Sequence, residues 1–308
     1  MSKILTVFGA TGNQGGSVIK SVLADPVLSK EFRIRAVTRN ADKPSAKALQ
    51  AKGVEVVTAD MSSPAGVAPA VEGAHTVFLV TNYWESLSAD IEFHQGKAVT
   101  DACKAAGVEH LIFSSLINVT KATDGKFTHV SHFDGKAKIE EYIRKSGVPA
   151  TFVLPGFFMS NFLGMIKKTE DDMEFIFSLP VSGDKAQIPI FDVADDAGKF
   201  VKAAIKNFPA QAGQHIYAAT EYITPNRLME EFATIVHLPS RFVQVTPHAY
   251  RETFAEPTAD EMTENMLLLE KPGYYDGADL APSLALLDEK PTSWREFVEA
   301  HKERWLGE

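Results

Sequence analysis

The fold is decided by ILTVFGATGNQGG, residues 4 to 16 of the 308-residue chain. An apolar run leads into a glycine-rich turn, where Gly9, Gly12 and Gly15 follow a G-x-x-G-x-x-G spacing and a helix-like segment begins. Glycines at this spacing permit a tight turn and let the backbone approach a pyrophosphate, which the free N–H groups of the helix N-terminus bind. Because the turn separates a predicted strand from a predicted helix, it indicates a dinucleotide-binding site.

Further apolar, β-branched runs follow this turn, separated by helix-like segments. They are RIRAVT (33 to 38), VEVVTA (54 to 59), HTVFLV (75 to 80), EHLIFSS (109 to 115) and ATFVLP (150 to 155). Strands that are apolar throughout and alternate with helices are typical of parallel pairing with both faces buried. Right-handed crossovers between such strands predict an α/β fold with a Rossmann-type doubly wound parallel sheet.

The pattern changes after Pro155, where PGFFMSNFLGMI is rich in aromatic residues and methionine. The remainder is mainly helical, and its clearest helical segments are Pro225 to His237, Thr258 to Leu269 and Ser293 to Trp305. We predict a Rossmann domain over residues 1–155 and a smaller, mainly helical C-terminal domain over residues 156–308. Segments near residues 186–220 are expected to return to the first sheet. The expected ligand site is a cleft at the C-terminal ends of the strands.

Charge and composition exclude several classes of partner. The net charge is −9 at pH 7 and the sequence pI is about 5.5, so no general positive field attracts nucleic acid or an anionic membrane. We find neither a signal-peptide pattern nor an apolar run of about 18 residues, and expect a cytoplasmic protein, with the nucleus as an alternative. Cys103 has no partner cysteine and the histidines lack metal-ligand spacing, so we expect no disulfide and no metal.

The end of the second strand, Val37 to Asn40, indicates which dinucleotide binds. NAD-selective folds place an acidic residue there to bind the ribose hydroxyls, whereas this chain has Arg39, with Lys43 four residues later. A guanidinium and an ammonium suit a 2′-phosphate. We predict NADP(H) as the cofactor, with NAD(H) bound more weakly. The alternative is a solvated basic loop.

Two further loops are candidate parts of the nucleotide site. Asp60 ends the third strand and either faces the adenine amino group or caps the following helix. Thr81, Asn82 and Tyr83, in TNYWES after the fourth strand, are expected beside the pyrophosphate and the nicotinamide ribose. These positions follow because parallel strands bring their C-terminal ends to one edge of the sheet.

The candidate proton-transfer site lies in HVSHFDGKAKIEEY, residues 129 to 142. Short-chain reductases use a Tyr-x-x-x-Lys pair, in which the lysine binds the ribose and lowers the tyrosine pKa. Here Lys136 has His132 at the tyrosine position. His132 is either a general acid or, as the sequence favours, a structural contact, because the like charge of Lys136 disfavours an imidazolium. Ser115, beside Ser114 at the end of the fifth strand, is a candidate for orienting a substrate.

Two acidic runs carry a further expectation. TEDDME (169 to 174) and ADEMTE (259 to 264) are predicted to be solvated helix faces or caps, with a partner-binding surface as the alternative.

With GATGNQGG, TRN, TNYWES and HFDGK in place, the chain resembles the NmrA-like family of atypical short-chain dehydrogenase/reductases over nearly its whole length, and within it the NADPH redox-sensor proteins. The resemblance implies NADP(H) in a cleft between a Rossmann domain and a smaller C-terminal domain. It implies that Lys136 binds the nicotinamide ribose and that Phe158 lies beside the nicotinamide. It assigns the 2′-phosphate to Arg39 and Lys43, and the pyrophosphate to Gly9, Thr11, Gly12, Asn13 and Gln14.

The resemblance and the missing tyrosine favour a cofactor-responsive regulator that acts through a protein partner, such as a transcription factor or a metabolic enzyme. Known roles in the family include negative regulation of a transcription factor in nitrogen metabolism and sensing of the NADPH/NADP balance. The alternative is an NADPH-dependent oxidoreductase that reduces a small carbonyl, imine or enone, with His132 or a water supplying the proton. A homodimer is a further expectation that the sequence leaves open.

Overall fold

The computed structural model describes residues 2–170 and 173–307. Asp171 and Asp172, in the middle of the TEDDME run, lie outside the described residues. The strands are β1 Lys3–Val7, β2 Phe32–Thr38, β3 Glu55–Thr58, β4 Thr76–Leu79, β5 His110–Ser114, β6 Ala150–Pro155, β7 Phe157–Phe158, β8 Lys167–Lys168, β9 Phe175–Leu179, β10 Ile188–Phe191, β11 His215–Ala218, β12 Glu221–Ile223 and β13 Ser240–Gln244. The helices are α1 Asn13–Ala24, α2 Leu28–Glu31, α3 Pro44–Ala51, α4 Pro64–Val71, α5 Ala89–Ala106, α6 Val119–Ala122, α7 Ser131–Ser146, α8 Phe162–Met165, α9 Val193–Lys206, α10 Pro225–Val236, α11 Pro247–Arg251, α12 Ala259–Leu267, α13 Ala281–Leu284, α14 Trp294–His301 and α15 Glu303–Leu306.

Seven parallel strands form the main sheet, in the order β11-β6-β5-β4-β1-β2-β3. In β1, Leu5 faces Ile34 of β2 on one side and Thr76 of β4 on the other. The direction of winding reverses between β1 and β4, which opens a crevice at the C-terminal ends of these two strands. The predicted Rossmann-type doubly wound parallel sheet is confirmed.

Helices cover both faces of this sheet, and alternate residues of each strand bury into opposite cores. In β5, Phe113 packs in one core and Ile112 in the other. On the side of Phe113, α5 and α7 approach closely, because a Cβ added at Gly96 would lie only 2.5 Å from Ile139 Cγ2. This close packing places side chains of α5 directly against side chains of α7.

The segments after Pro155 divide between the main sheet and separate smaller sheets. Helix α9 packs on α1, where Ser17 Oγ accepts the Gly198 N–H at 2.9 Å, and β11 pairs with β6 in the main sheet. Strand β10, by contrast, pairs with β7 and β12, while β8, β9 and β13 form another three-stranded sheet. The C-terminal part is therefore helical with two small sheets added, and the domain boundary at residue 155 stays a prediction.

Two contacts place the C-terminal segments over the crevice. The buried Tyr275 hydroxyl donates to the Leu154 carbonyl at 2.9 Å, at the end of β6. Glu261 of α12 accepts a hydrogen bond from the His132 N–H at 2.8 Å, at the start of α7. None of the helices in the described ranges is long and apolar enough to cross a membrane.

Candidate nucleotide and proton-transfer site

The glycine turn lies between β1 and α1, as predicted. Gly9 has φ +63°, in the left-handed region, and its carbonyl accepts the Gly12 N–H at 2.9 Å. Gly12 precedes the helix without a side-chain cap, so the first N–H groups of α1 remain available to an anion. Thr11 and Asn13 are exposed around this N-terminus and Gln14 is half-buried. The turn therefore has the shape and the donors that a pyrophosphate requires.

Replacing Gly15 with alanine is expected to disrupt this turn. The added Cβ would lie 2.3 Å from the Gly9 carbonyl oxygen and 2.6 Å from the Gly9 carbonyl carbon, so the backbone must move. We expect a loss of about 1–3 kcal/mol in the free energy of unfolding and at least about tenfold weaker NADPH binding. Urea unfolding and NADPH fluorescence titration measure the two effects.

Gly16 supplies the matched control for that substitution. An added Cβ at Gly16 would meet its nearest neighbour, the Ala10 carbonyl oxygen, at 3.8 Å. Since alanine is the better helix former, Gly16→Ala should leave NADPH affinity unchanged and preserve stability. Equal damage from both substitutions would show that the pyrophosphate site does not depend on the close approach at Gly15.

The residues predicted at the adenosine end lie at the ends of β2 and β3. Arg39 is exposed and forms an ion pair with Glu85, from the loop after β4. Lys43 is exposed and directly precedes α3. Asp60 accepts the Ser62 N–H at 2.9 Å and the Ser62 hydroxyl at 2.6 Å, and these bonds lower the pKa of its carboxyl group. Ser63, not Asp60, caps α4, so the adenine contact of Asp60 stays a prediction.

Lys136 is buried against the loop after β4 and against α5. Its ammonium donates to the Thr81 carbonyl and hydroxyl oxygens, at 3.0 Å each, and to Glu92 Oε1 at 2.6 Å. The Thr81 hydroxyl itself donates to Glu92 Oε1 at 2.7 Å, while Glu92 Oε2 is buried without a partner in the described residues. Lys136 therefore holds a buried carboxylate in addition to any bond it makes to a ribose.

Tyr83 and His132 meet at a carboxylate that comes from the C-terminal part of the chain. The Tyr83 hydroxyl donates to Glu261 Oε2 at 2.8 Å. His132 donates its backbone N–H to Glu261 Oε1 at 2.8 Å, and His132 Nδ1 lies 2.6 Å from the same oxygen. The His132 ring also contacts Trp84, at 4.8 Å between ring centroids, and Phe133 at 4.9 Å. The start of α7, the loop after β4 and α12 are thereby joined at one buried point.

Glu261 and its hydrogen-bond donor Tyr83 have pKa values shifted in opposite directions. Burial of Glu261 would by itself raise its pKa, but hydrogen bonds from His132 and Tyr83 hold the pKa below its usual value. Burial, reinforced by the bond to Glu261, raises the pKa of Tyr83 to about 12. At neutral pH Glu261 is therefore a carboxylate and Tyr83 a neutral hydrogen-bond donor.

The ADEMTE run is not the solvated helix face that the sequence predicts. Glu261 is 4% exposed and faces His132. Glu264, one turn later on α12, accepts the His129 N–H at 2.7 Å and lies 2.7 Å from His129 Nδ1, a contact that raises the pKa of His129. Two carboxylates three residues apart on α12 thus pair with two histidines that are also three residues apart. The charges of the ADEMTE segment alone cannot reveal this pairing, because the histidines lie in a distant segment.

Ser115 lies apart from the proton-transfer site. Its hydroxyl donates to Glu140 Oε2 at 2.6 Å, and Glu140 also accepts bonds from Arg144 and lies 2.6 Å from His215 Nε2. Glu140 is two helical turns beyond His132 on α7, about 12 Å along the axis. The structure therefore places Ser115 in a separate buried network at the β11 side of the sheet. The hydroxyl of Ser114 is buried without a partner in the described residues.

Asn82 and Phe158 are predicted contacts of the nucleotide that lie outside the buried networks described above. Asn82 is exposed and precedes the short 3-10 turn Tyr83–Glu85, and its side chain does not cap that turn. Phe158, in β7, is half-buried with its ring 6.1 Å from that of Phe191. Both remain predicted contacts of a nucleotide.

Sequence reasoning missed the two acidic residues that organise the site. Glu92 lies in an amphipathic helical segment, where a glutamate is common and does not indicate a site. It lies beside Lys136 only because α5 packs against α7 in the folded chain. Glu261 is separated from His132 by 129 residues. The acidic composition of ADEMTE gave no sign that one of its carboxylates is buried.

Known proteins share this architecture. The model of the NmrA-like family matches residues 1–298. An NmrA-like family domain-containing oxidoreductase of Penicillium ochrochloron is 33% identical over 261 residues, which cover 80% of this chain and 76% of that protein. The crystal structure of NmrA, a negative transcriptional regulator, in complex with NADP has a TM-score of 0.80 at 22% identity, covering 97% of this chain and 94% of that chain. An NADPH-dependent quinone oxidoreductase of Escherichia coli complexed with NADPH has a TM-score of 0.76 at 21% identity, covering 96% of this chain and 99% of that chain.

The solved structures support the sheet order and the placement of helices on both faces. The family match extends from the glycine turn, through the helix that carries His132 and Lys136, and ends at residue 298 within α14. Together with the identity to the curated relative, this match shows that the chain belongs to the NmrA-like family.

Proposed function

We propose that this chain is an NADP(H)-dependent oxidoreductase that reduces a small carbonyl, imine or enone. The observation that carries the proposal is that His132, at the tyrosine position four residues before Lys136, lies against a buried carboxylate. A histidine facing a carboxylate can hold and deliver a proton, as the tyrosine of related reductases does. The oxidoreductase relatives of this chain support the same reaction class.

The residues present fit a dinucleotide. At Gly15 there is no room for a Cβ, and the start of α1 offers N–H groups without a side-chain cap. Arg39 and Lys43 supply two exposed cations at the end of β2, which favours a 2′-phosphate. We therefore propose NADP(H) as the preferred nucleotide, with NAD(H) bound more weakly. NmrA is solved in complex with NADP and in complex with NAD, and the quinone oxidoreductase with NADPH, which supports binding of both kinds of nucleotide.

We propose separate roles in the reaction for the residues around the nicotinamide position. NADPH, when bound, supplies the hydride. Lys136 and Thr81 are proposed to orient the nicotinamide ribose, with Glu92 neutralising the lysine charge. Phe158 is proposed to pack beside the nicotinamide and exclude water. His132 supplies the proton that the reduced substrate requires.

Replacing His132 with phenylalanine tests the oxidoreductase directly. We expect NADPH oxidation by the wild-type protein with some member of a panel of aldehydes, ketones, imines and enones. In His132→Phe, kcat should fall by about 10²–10⁴-fold, the usual contribution of a general acid, while the Kd for NADPH stays within about twofold. Absence of oxidation by the wild-type protein across the panel would overturn the proposal.

The second candidate is a cofactor-responsive regulator that acts through a protein partner. It is favoured by one contact, the buried hydrogen bond from Tyr83, in the proposed nucleotide loop, to Glu261 of α12. If the nucleotide changes the position of Tyr83, the hydrogen bond to Glu261 would transmit that movement to α12. Regulation requires that the partner, or a second copy of the chain, bind with different free energies in two nucleotide states.

Partner capture distinguishes this regulator from the enzyme. The immobilised protein, loaded with NADPH, should retain a protein that is released when NADP replaces NADPH. The same exchange followed by light scattering reports whether the partner is a second copy. Retention that is identical with the two nucleotides would remove the regulatory proposal, since equal affinity shifts no equilibrium.

A further inference from the structure

Glu261 is the buried carboxylate that His132 faces, and it comes from outside the Rossmann sheet. It is 4% exposed, and α12 delivers it to the start of α7. One of its oxygens meets both the backbone N–H and Nδ1 of His132, and the other accepts the Tyr83 hydroxyl. The carboxylate is therefore fully occupied by groups that border the proposed nicotinamide position.

We infer that Glu261 is the positioning residue that makes His132 the proton donor, an inference that rests on the proposed oxidoreductase function. With Nδ1 held 2.6 Å from a carboxylate oxygen, the Nδ1 proton is donated to Glu261 and Nε2 is the nitrogen that exchanges a proton with substrate. His132 Nε2 has no hydrogen-bond partner in residues 2–170 and 173–307. The hydrogen bond from the His132 backbone N–H to the same oxygen fixes the position of the His132 backbone. The contacts of the imidazole ring with Trp84 and Phe133 restrict rotation of the ring.

The charged groups near His132 are paired with groups of opposite charge. Lys136 lies one turn away on the same helix, and its like charge is the reason that the sequence argues against a general acid at position 132. In the structure the Lys136 ammonium is paired with Glu92, and the His129 ring one turn earlier is paired with Glu264. Asp260 of α12 pairs with Arg251, and Tyr83 stays neutral. Among the described residues, Glu261 is the charged group that forms an ion-pair contact with His132, with 2.6 Å between His132 Nδ1 and Glu261 Oε1.

The proton balance of the step is simple. When bound, NADPH would supply the hydride for the new C–H bond on the substrate carbon and would be oxidised to NADP⁺, while the substrate double bond to oxygen, nitrogen or the conjugated carbon opens. The Nε2 proton of imidazolium His132 passes to the atom that receives the electron pair. His132 is left neutral with its Nδ1 proton still donated to Glu261, and Nε2 takes a proton from solvent before the next turnover.

Glu261→Gln tests this role because it keeps the size of the side chain and removes its charge. We expect kcat to fall on the order of 10²-fold, with the KM for substrate and the Kd for NADPH within about threefold of wild type. The pH profile of kcat should differ from that of the wild-type protein, because the substitution removes the carboxylate that contacts His132. Glu261→Asp, which keeps the charge, should retain the wild-type pH profile at a reduced kcat.

Glu264→Gln is the matched control, since Glu264 lies on the same helix and bonds the exposed His129 in the same manner. It should leave kcat and its pH profile unchanged. A second readout is independent of turnover. In the NADP-bound protein, ¹⁵N-resolved NMR should show a His132 Nδ1 proton in a strong hydrogen bond, absent in Glu261→Gln and retained in Glu264→Gln.

The possible outcomes separate the two hypotheses. Turnover that is lost in His132→Phe but unchanged in kcat and pH profile in Glu261→Gln overturns the positioning role and keeps the oxidoreductase. An absence of turnover in the wild-type protein overturns both. If Glu261→Gln does not fold, the Glu261→Asp profile and the NMR signal of the wild-type protein decide, and an Nε2-protonated neutral His132 tautomer without the Nδ1 proton would refute the inference.

Discussion

Lys136→Met is expected to lower the free energy of unfolding of the nucleotide-free protein by about 3–5 kcal/mol. The reason is the carboxylate that Lys136 covers. Glu92 is 1% exposed, and its Oε1 depends on the Lys136 ammonium at 2.6 Å and the Thr81 hydroxyl at 2.7 Å. Without the ammonium, a buried charge is left with one neutral donor, and its second oxygen already lacks a partner in the described residues. Urea unfolding of the two proteins measures the difference.

Lys138→Met is the matched control. Lys138 lies two residues further along α7, and its partner Asp90 is on α5, but both side chains are more than half exposed. Such a surface pair contributes about 0–1 kcal/mol. A loss for Lys136→Met as small as that for Lys138→Met would mean that Glu92 is protonated or rehydrated at no cost.

A double variant separates the structural role of Lys136 from its predicted ribose contact. Lys136→Met with Glu92→Met removes both charges and should recover most of the lost stability, since a buried pair can often be replaced by apolar side chains without loss. If Lys136 also binds the nicotinamide ribose, this stable double variant should still bind NADPH about tenfold more weakly. Wild-type affinity in the double variant would assign Lys136 to stability alone.

Lys136 also shows which parts of the protein can be predicted from sequence. The fold and the glycine turn follow from local patterns, because strand, turn and helix are contiguous in the chain and each has its own composition. The spacing of His132 and Lys136 is equally local, since residues four apart share one face of a helix. These features were therefore predictable.

The partners of these residues were not predictable, because they depend on packing between distant segments. Glu92 meets Lys136 only because α5 and α7 approach at Gly96, and Glu261 meets His132 only after α12 has folded over the crevice. Ser115 shows the limit of local patterns, and its role in orienting a substrate stays a prediction. Its position at the end of β5 is local and correct, but its hydroxyl turns toward Glu140 on α7, a direction that the strand pattern does not specify.

Arg39→Ala is expected to remove the preference for NADPH over NADH. A charge-assisted contact to a phosphate contributes about 1.5–3 kcal/mol, so NADPH should bind about 10–100-fold more weakly while the Kd for NADH stays within about twofold. Arg33→Ala is the control, because Arg33 is also exposed on β2 and its removal changes the net charge equally. Fluorescence titrations with both nucleotides measure the effect. An equal loss for NADPH and NADH would show that Arg39 does not read the 2′-phosphate.

Glu85 provides a second test of the Arg39 prediction. It forms an ion pair with the Arg39 guanidinium, which is the group proposed to bind the 2′-phosphate. Both side chains are largely exposed, so their pair contributes at most about 1 kcal/mol, and a phosphate with nearly two negative charges should displace Glu85. Glu85→Gln frees Arg39 and removes a repelling charge, so NADPH should bind up to about fivefold more tightly and NADH should change less. In Arg39→Ala the same glutamine substitution should lose most of this benefit. A gain that is equal with and without Arg39 would mean that Glu85 acts by long-range repulsion and that the two residues do not compete at one site.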